Sequence, residues 1–302
     1  MAFTGKVETL RGFIEKILQE KEQNNLELFY RGHSNKRYNL EPYLFRKNDK
    51  GDYLDRDEEH ILYQELLIVN SVDFLSDEYT LDKLVRMQHY SLPTRLLDIT
   101  SNPLIALYFA CKSGLMKNTG SCEKEIDGEV ILISMKRDQI KYFDSDTVSC
   151  IANLARLPKE EKDQIVFSSS KTEFNKQPPI KRLIHFIKEE KSFFEDRIEP
   201  SDLKKIVCVK SKRSNSRISS QSGAFLLFGN DANLDDENPD FNIKRVSVAK
   251  KATILEELDM LNINESTVFP YIENSAKYIA EKCVLKNLTQ QTAKSTDSNR
   301  TE

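Results

Sequence analysis

The sequence lacks several features that would assign it at once to a common class. It has no run of about 18 apolar residues, so no membrane-spanning helix is expected. Neither GxGxxG nor GxxxxGKS/T occurs, which argues against a Rossmann or P-loop nucleotide-binding fold. The formal net charge of -3 gives no global basic field that would indicate nucleic acid or a membrane as partner. The N-terminal residues MAFTGKVETLRGF lack the apolar stretch of a secretory signal.

Cysteine and histidine are sparse and scattered. The cysteines are odd in number and form no CxxC pair; they are Cys111, Cys122, Cys150, Cys208 and Cys283. Free thiols in a reducing cytoplasm are the simplest interpretation. The four histidines, at 33, 60, 89 and 185, are widely separated, so no zinc site is expected. No group of carboxylates is spaced for magnesium.

The composition and the apolar pattern predict an α+β protein. Apolar residues make up 39% and charged residues 31% of the 302 residues, which is typical of a soluble globular protein. Apolar runs and alternation predict strands at 26–31, 129–134, 206–209, 224–228 and 243–248. Helical spacing predicts helices at 10–24, 57–75, 80–88, 102–112, 145–156, 179–197, 252–261 and 275–285. Short strands between long helical stretches, without a regular βαβ rhythm, favour α+β over α/β.

Residues 88–101 are predicted to form a polar loop that runs directly into the apolar helix 102–112. The loop offers many groups able to hold a polar ligand: Gln88, His89, Tyr90, Thr94, Arg95, Asp98, Thr100 and Ser101. A loop attached to a buried helix is a common way to present a site, and the helix N-terminus adds free N–H groups for a phosphate or ribose. Arg95 and Asp98 are candidates to pair and fix the loop. His89 is either a general base or a buried hydrogen-bonding group.

Two further segments are candidates for the same site. Arg31 ends a predicted strand in FYRGH at 29–33, and the glycine after it lets the guanidinium meet a phosphate- or ribose-bearing ligand closely. A structural salt bridge is the alternative role for this arginine. Gln221, in RISSQSGAF at 217–225, precedes an apolar strand. It would reach a pocket if that strand lies beside the first, and an ordinary loop is the alternative.

A basic stretch, KKIVCVKSKRSNSR at 204–217, carries six positive charges. Such a stretch can attract an acidic surface or nucleic acid. No aromatic residue is interleaved, so a base-stacking platform is not indicated. A solvated face is the alternative interpretation.

Four segments together resemble the FRG domain, a family named for its Phe/Tyr-x-Arg-Gly signature. They are FYRG at 29–32, QHYSLPTRLLDITSNPLIALYFA at 88–110, QSGAF at 221–225 and ILEELDMLNINESTVFPYIENSAKYIA at 254–280. The FRG domain is distantly similar to the ADP-ribosyltransferase fold, which implies a small split mixed or antiparallel sheet surrounded by helices. The expected organisation is an N-terminal helix at 1–25 packed on the core, the FRG domain at 26–250, its C-terminal helical part at 251–286 and a disordered tail at 287–302.

The similarity to ADP-ribosyltransferases implies roles for individual residues. Arg31 stands where an early arginine holds NAD, and Thr100-Ser101 with the following helix resembles the Ser-Thr-Ser strand and its helix. Gln221 stands where a Glu-x-Glu loop would be, but no carboxylate occupies 221 or 223. An amide can hold the ribose 2′-hydroxyl without supplying the charge that stabilises an oxocarbenium-like transition state. Asp98 or another acid would have to substitute.

The sequence therefore predicts a cytoplasmic ADP-ribosyltransferase-like enzyme, or an NAD glycohydrolase, that uses NAD as its substrate. The expected catalytic residues are Arg31, His89, Asp98 and Gln221. The expected NAD-binding residues are Tyr30, Arg31, Gly32, Gln88, Thr94, Arg95, Thr100 and Ser101. The family resembles components of bacterial toxin and phage-defence systems, which implies a macromolecular acceptor (RNA, DNA or protein) and an antitoxin or chaperone as partner. The alternative prediction is a non-catalytic FRG module that docks nucleic acid or a protein through 204–217.

Overall fold

The computed structural model describes residues 4–20, 26–112, 126–212 and 223–269. In these residues an eight-stranded mixed sheet packs against ten α-helices, which confirms the predicted α+β class. The strands are β1 Lys6–Val7, β2 Leu26–His33, β3 Leu96–Thr100, β4 Gly128–Lys136, β5 Lys141–Tyr142, β6 Ile206–Lys210, β7 Gly223–Phe228 and β8 Asn242–Val248. None of the helices in the described residues is long and apolar enough to cross a bilayer.

The ten helices vary from one turn to more than three turns. They are α1 Leu10–Glu20, α2 Glu59–Val69, α3 Thr80–His89, α4 Pro103–Cys111, α5 Asp146–Ala152, α6 Lys159–Asp163, α7 Lys171–Phe174, α8 Pro178–Glu190, α9 Lys251–Met260 and α10 Glu265–Val268. The predicted helix 179–197 ends early, at Glu190. The predicted helix 275–285 and the predicted tail 287–302 lie outside the described residues, and the domain boundaries stay a prediction.

The sheet is split near its centre. Its strands follow the order β1-β8-β4-β2-β3-β7-β6-β5, and all neighbours are antiparallel except β1 with β8 and β5 with β6. β2 pairs with β4 along its whole length, from Leu26 to His33. With β3 it shares a single position, at which Tyr30 lies opposite Thr100. The two halves of the sheet are therefore joined through this one residue pair.

Side-chain alternation along the strands separates the cores on the two faces. On one face, α4, α1 and α9 cover the β2 half, where Tyr30 packs with Val130 and Leu107. On the same face, α3, α5 and α8 cover the β3 half. The opposite face is covered by the segment after β2, whose Leu44 packs on Phe29. The junction of β2 and β3 thus lies between the helices that cover the β2 half and those that cover the β3 half.

The predicted loop 88–101 is wrong at its most important point, because residues 96–100 form the central strand β3. Leu96, Leu97 and Ile99 are buried on the two faces of the sheet. A strand that is buried on both faces has no polar–apolar alternation along its length. Asp98 and Thr100 therefore seemed to belong to a polar loop, although each is the polar exception on a buried strand.

Candidate functional site

A cavity of about 160 Å³ opens at the split in the sheet. Seven predicted site residues line it: Tyr30, Arg31, Gly32, Gln88, His89, Asp98 and Thr100. Ile105, Ala106 and Phe109 of α4 and Phe225 of β7 supply apolar wall. A cavity of about 150 Å³ holds one benzene ring, so this one has room for about one six-membered ring.

Gly32 allows α4 to form one wall of the cavity. A Cβ atom on Gly32 would lie 1.9 Å from the carbonyl oxygen of Ala106 and 2.7 Å from the backbone nitrogen of Ala110. These atoms belong to the helix backbone and cannot move aside as a flexible side chain would. The glycine that follows Arg31 is therefore required for the close approach of α4 to β2.

Arg31 spans the gap where β2 and β3 separate. Its Nη1 donates to the backbone oxygen of Asp98 at 2.7 Å, and its Nε donates to Nε2 of His33 at 3.1 Å. Burial lowers the pKa of Arg31, the Asp98 carboxylate opposes this shift and Arg46 adds to it, but a guanidinium stays charged in proteins. Among the described residues no carboxylate forms a salt bridge with it. Both bonds go to uncharged atoms, so the positive charge remains available to a ligand.

A hydrogen-bonded network extends from Arg31 to the surface through residues that the sequence did not single out. Because the Arg31 Nε–H donates to Nε2 of His33, the neutral ring must carry its proton on Nδ1, which lies 3.1 Å from Oε1 of Glu129. Arg245 donates to the same Glu129 oxygen at 2.9 Å and also binds Asp236. Burial lowers the pKa of His33 although Glu129 opposes the shift, so the neutral form is favoured.

One signal in the sequence could have identified His33. Residues two apart on a strand share a face of the sheet, so His33 lies on the same side of β2 as Arg31. Its partner Glu129 is directly opposite on β4. That pairing depends on long-range register, which the sequence alone did not give.

Asp98 is the carboxylate of the cavity and is oriented by Gln88. Gln88 Nε2 donates to Oδ2 of Asp98 at 2.8 Å and to the backbone oxygen of Leu96 at 3.2 Å, while its Oε1 accepts from the Thr94 hydroxyl. Thr94 therefore contacts Gln88 and does not itself line the cavity. Oδ1 of Asp98 has no hydrogen-bond partner in the described parts of the chain, which leaves it available to a ligand hydroxyl.

Arg95 does not contact the cavity and does not pair with Asp98. Its Nε and Nη2 bind both carboxylate oxygens of Glu59, at 2.8 and 2.5 Å, and its Nη1 donates to the Phe228 oxygen at 2.8 Å. Residues three apart on an extended chain point to opposite faces, which explains why Arg95 and Asp98 separate. The predicted pairing is wrong, and the position of Arg95 gives no support to its predicted role in binding NAD.

The remaining predicted residues differ in their position. His89 lines the cavity and packs edge-on against Tyr90, with ring centroids 5.0 Å apart. The Thr100 hydroxyl accepts from the Asn102 backbone at 3.0 Å. Ser101 is exposed and does not line the cavity. Gln221 lies outside the described residues; Gly223, which begins β7 opposite Thr100, lines the cavity.

The first N–H groups of α4 are partly occupied by the chain itself. Asn102 caps the helix, and its side-chain oxygen accepts from the Leu104 backbone at 3.0 Å. The described residues also contain no group of three or more His, Cys, Asp or Glu side chains placed to hold a metal ion.

The fold and the cavity define an α+β protein with a polar, ring-sized site in a split sheet. Residues 26–119 match the FRG domain family, and the match places this part of the chain in that family. It spans β2 to α4 and includes every polar side chain that lines the cavity. Searches of curated proteins and of solved structures gave no match.

Proposed function

We propose that the protein is an ADP-ribosyltransferase-like enzyme that binds NAD at the split of its sheet. The supporting observation is that one cavity combines a guanidinium without a carboxylate partner, on Arg31, with an oriented carboxylate, on Asp98. Phosphate or ribose oxygens suit the first group. The second suits ribose hydroxyls and the positive charge that develops when a glycosidic bond breaks.

The size of the cavity decides how much of NAD it would enclose. A space for about one ring fits the nicotinamide or its ribose, and the diphosphate would stay at the mouth beside Arg31. Asp98 would supply the negative charge that the sequence lacks at 221 and 223, and Gln88 would hold its carboxylate in place. His89 is the group in the cavity that could accept a proton from an acceptor hydroxyl.

Transfer of label from NAD to macromolecules tests this proposal. The protein is incubated with NAD labelled in its adenylate part and with cell extract, and RNA, DNA and protein fractions are counted. Label in one fraction identifies the acceptor class, whereas free nicotinamide without transferred label indicates NAD hydrolysis. Asp98→Asn should lower the rate on the order of a hundredfold while calorimetry finds NAD affinity within a few fold of wild type.

Calorimetry of Arg31 variants tests the binding step alone. Arg31→Ala should abolish NAD affinity, and Arg31→Lys should weaken it because an ammonium cannot form the same planar contacts. Arg11→Ala, at an exposed arginine paired with Glu15 on α1, is the matched control and should bind as wild type. Absence of NAD binding by the wild-type protein at millimolar concentration would rule out the enzyme.

A non-catalytic binding module is the second candidate, favoured by the missing carboxylate at 221 and 223. The basic stretch 204–217 offers less free charge than its sequence implies. Lys205 pairs with Asp202 at 2.6 Å and Lys212 with Glu78 at 2.5 Å, and Arg213 and Arg217 lie outside the described residues. A module would show no NAD turnover, and binding to nucleic acid would fall with rising salt.

The setting in a toxin or phage-defence system belongs to the same proposal and rests on the family resemblance. An effector that modifies a macromolecule should slow the growth of cells that express it. Asp98→Asn, which removes the charge of the side chain and hardly changes its size, should relieve this effect.

A further inference from the structure

The C-terminal part of α2 and the turn after it expose an unusual amount of aliphatic surface. Ile68, Val69, Val72 and Leu75 are 69%, 75%, 77% and 81% exposed. Ile61, which lies two turns before Ile68 on the same face of α2, is 44% exposed. We call these five residues the apolar ridge. The inner side of the same segment is already filled, because Tyr63 and Phe74 are buried in the core. The ridge is therefore additional apolar surface that the described fold does not use.

The segment of chain that carries the ridge is acidic. Residues 57–82 contain eight acidic residues and no lysine or arginine. Several of these acids are neutralised by partners elsewhere in the chain; Asp77, for example, binds Arg86 at 2.6 and 2.7 Å. Glu65 and Asp73, which lie among the ridge residues, have no ion-pair partner in the described parts of the chain. Asp73 interacts electrostatically with Arg86, so the ridge has an acidic rim in which Glu65 is without a charged partner among the described residues.

Four of the five ridge residues fall within positions 68–75, and exposed apolar surface concentrated in this way beside polar residues is typical of an interaction surface. The rim determines which occupant fits. A second copy of this chain would bring Glu65 and Asp73 to the interface from both sides, and like charges at an interface are unfavourable. Nucleic acid and anionic membranes are disfavoured for the same reason. A protein segment with apolar side chains flanked by lysine or arginine satisfies both the ridge and its rim.

We propose that the apolar ridge is the docking surface for a partner protein that presents one face of a basic amphipathic helix. The five aliphatic side chains would lose their water against the apolar face of that helix. Glu65 and Asp73 would pair with its flanking basic residues and fix its orientation. This inference is independent of the cavity and of NAD, so either proposal can fail without the other.

Two model peptides of equal length test the proposal directly. One is a fluorescent amphipathic helix made of leucine and lysine, and the other has glutamate in place of every lysine. In fluorescence anisotropy the wild-type protein should bind the leucine–lysine peptide at least tenfold more tightly. The double variant Val72→Asp, Leu75→Asp should lose at least tenfold of this affinity. Met260→Asp, at an equally exposed apolar residue of α9 that is 80% exposed, is the matched control and should bind as wild type.

Charge reversal tests the rim separately from the ridge. The double variant Glu65→Lys, Asp73→Lys should reverse the preference and favour the leucine–glutamate peptide. Both residues are exposed, and circular dichroism checks that the fold is retained. The proposal is overturned if the Val72 and Leu75 variants bind like wild type, or if charge reversal leaves the preference unchanged. It is also overturned if sedimentation finds a wild-type dimer that Val72→Asp, Leu75→Asp dissociates, because the occupant would then be a second copy.

Discussion

Two arginine networks of this protein differ in how the arginine charge is balanced. Arg95 makes a bidentate salt bridge with Glu59, and Lys162 Nζ binds the same carboxylate at 2.6 Å. Arg31 instead donates to a neutral imidazole and to a backbone oxygen. Both arginines are largely removed from water, but only the first has its charge cancelled by a direct partner.

The comparison gives a physical criterion for a ligand-binding arginine. Each of the three guanidinium nitrogens of Arg95 already donates a hydrogen bond, Nη1 to the Phe228 oxygen and the other two to Glu59, and the exposed fraction of the residue is 2%. Arg31 keeps Nη2 without a hydrogen-bond partner in the described residues and borders a cavity. Neutral acceptors therefore hold a buried guanidinium in place without cancelling its charge. An anionic ligand can then form an ion pair with it.

Removing the Arg95 side chain is the most severe test of this comparison. Arg95→Ala leaves Glu59 buried beside a single lysine, and breaking a buried pair typically costs about 3–5 kcal/mol. Urea unfolding at pH 7 measures the loss. Arg95→Met fills more of the space but also lacks the charge. It should lower the free energy of unfolding nearly as much, because the Glu59 carboxylate again loses its arginine partner. A loss below about 1 kcal/mol for Arg95→Ala would contradict the structural role given to this residue.

Acid should weaken the Arg95 network in a defined pH range. Burial would raise the pKa of Glu59, but the charges of Arg95 and Lys162 outweigh it and lower the pKa from 4.5 to about 2. The unfolded chain then takes up the proton at higher pH than the folded one, so the contribution is complete above about pH 4.5 and is lost as the pH falls towards 2.

The difference between wild type and Glu59→Gln isolates this contribution. The free energy of unfolding is measured for both proteins at pH 5 and at pH 3. Between these two pH values it should fall more for wild type than for Glu59→Gln. Glu15→Gln, at the exposed pair with Arg11, should leave the slope of wild type intact. Equal slopes for wild type and Glu59→Gln would show that the carboxylate is not held as the structure indicates.

The two networks also show what the sequence could predict. The apolar pattern predicted most helices and strands, and the FYRG and QHYSLPTRLLD segments both contribute residues to the cavity, because local patterning and motif chemistry are contained in short stretches. The distinction between Arg31 and Arg95 was not contained there. It depends on Glu59 lying against Arg95 across 36 residues and on the register of β2 with β4, which places Glu129 beside His33. Both are long-range contacts that a single sequence does not display.

Arg31→Ala should cost less stability than Arg95→Ala. Removing the Arg31 side chain leaves the Asp98 backbone oxygen and His33 Nε2 without a donor. It leaves no buried carboxylate without its ion-pair partner, so the free energy of unfolding should fall by about 1–3 kcal/mol. Urea unfolding without ligand measures it. Arg31→Lys should lie between wild type and Arg31→Ala, because one ammonium can replace only one of the two bonds. If Arg31→Ala is as destabilising as Arg95→Ala, the charge of Arg31 has a structural partner and the contrast between the networks fails.

His33 should give the smallest effect, and it tests the neutral acceptor itself. Burial lowers the pKa of His33 below its ordinary value of 6.5. As the pH falls, His33 therefore becomes protonated in the unfolded chain before it does so in the folded protein. Stability is then complete above about pH 6.5 and falls as the pH drops towards the lowered pKa, by at most about 1.4 kcal/mol for each pH unit. A protonated ring would direct a second N–H at the Arg31 Nε–H, so protonation also removes the acceptor that positions the guanidinium.

His33→Gln separates this titration from all others, because an amide oxygen can still accept from Arg31 but does not bind a proton. Unfolding free energies at pH 7.5 and 5.5 should show a fall for wild type that is smaller in His33→Gln. His185→Gln is the control, since the His185 side chain is 71% exposed and lies beside Glu189 on the helix surface; the pH dependence of this variant should follow wild type. A fall of the same size in His33→Gln and wild type would mean that His33 is not the titrating group, and that a neutral imidazole is not what holds Arg31 in the split.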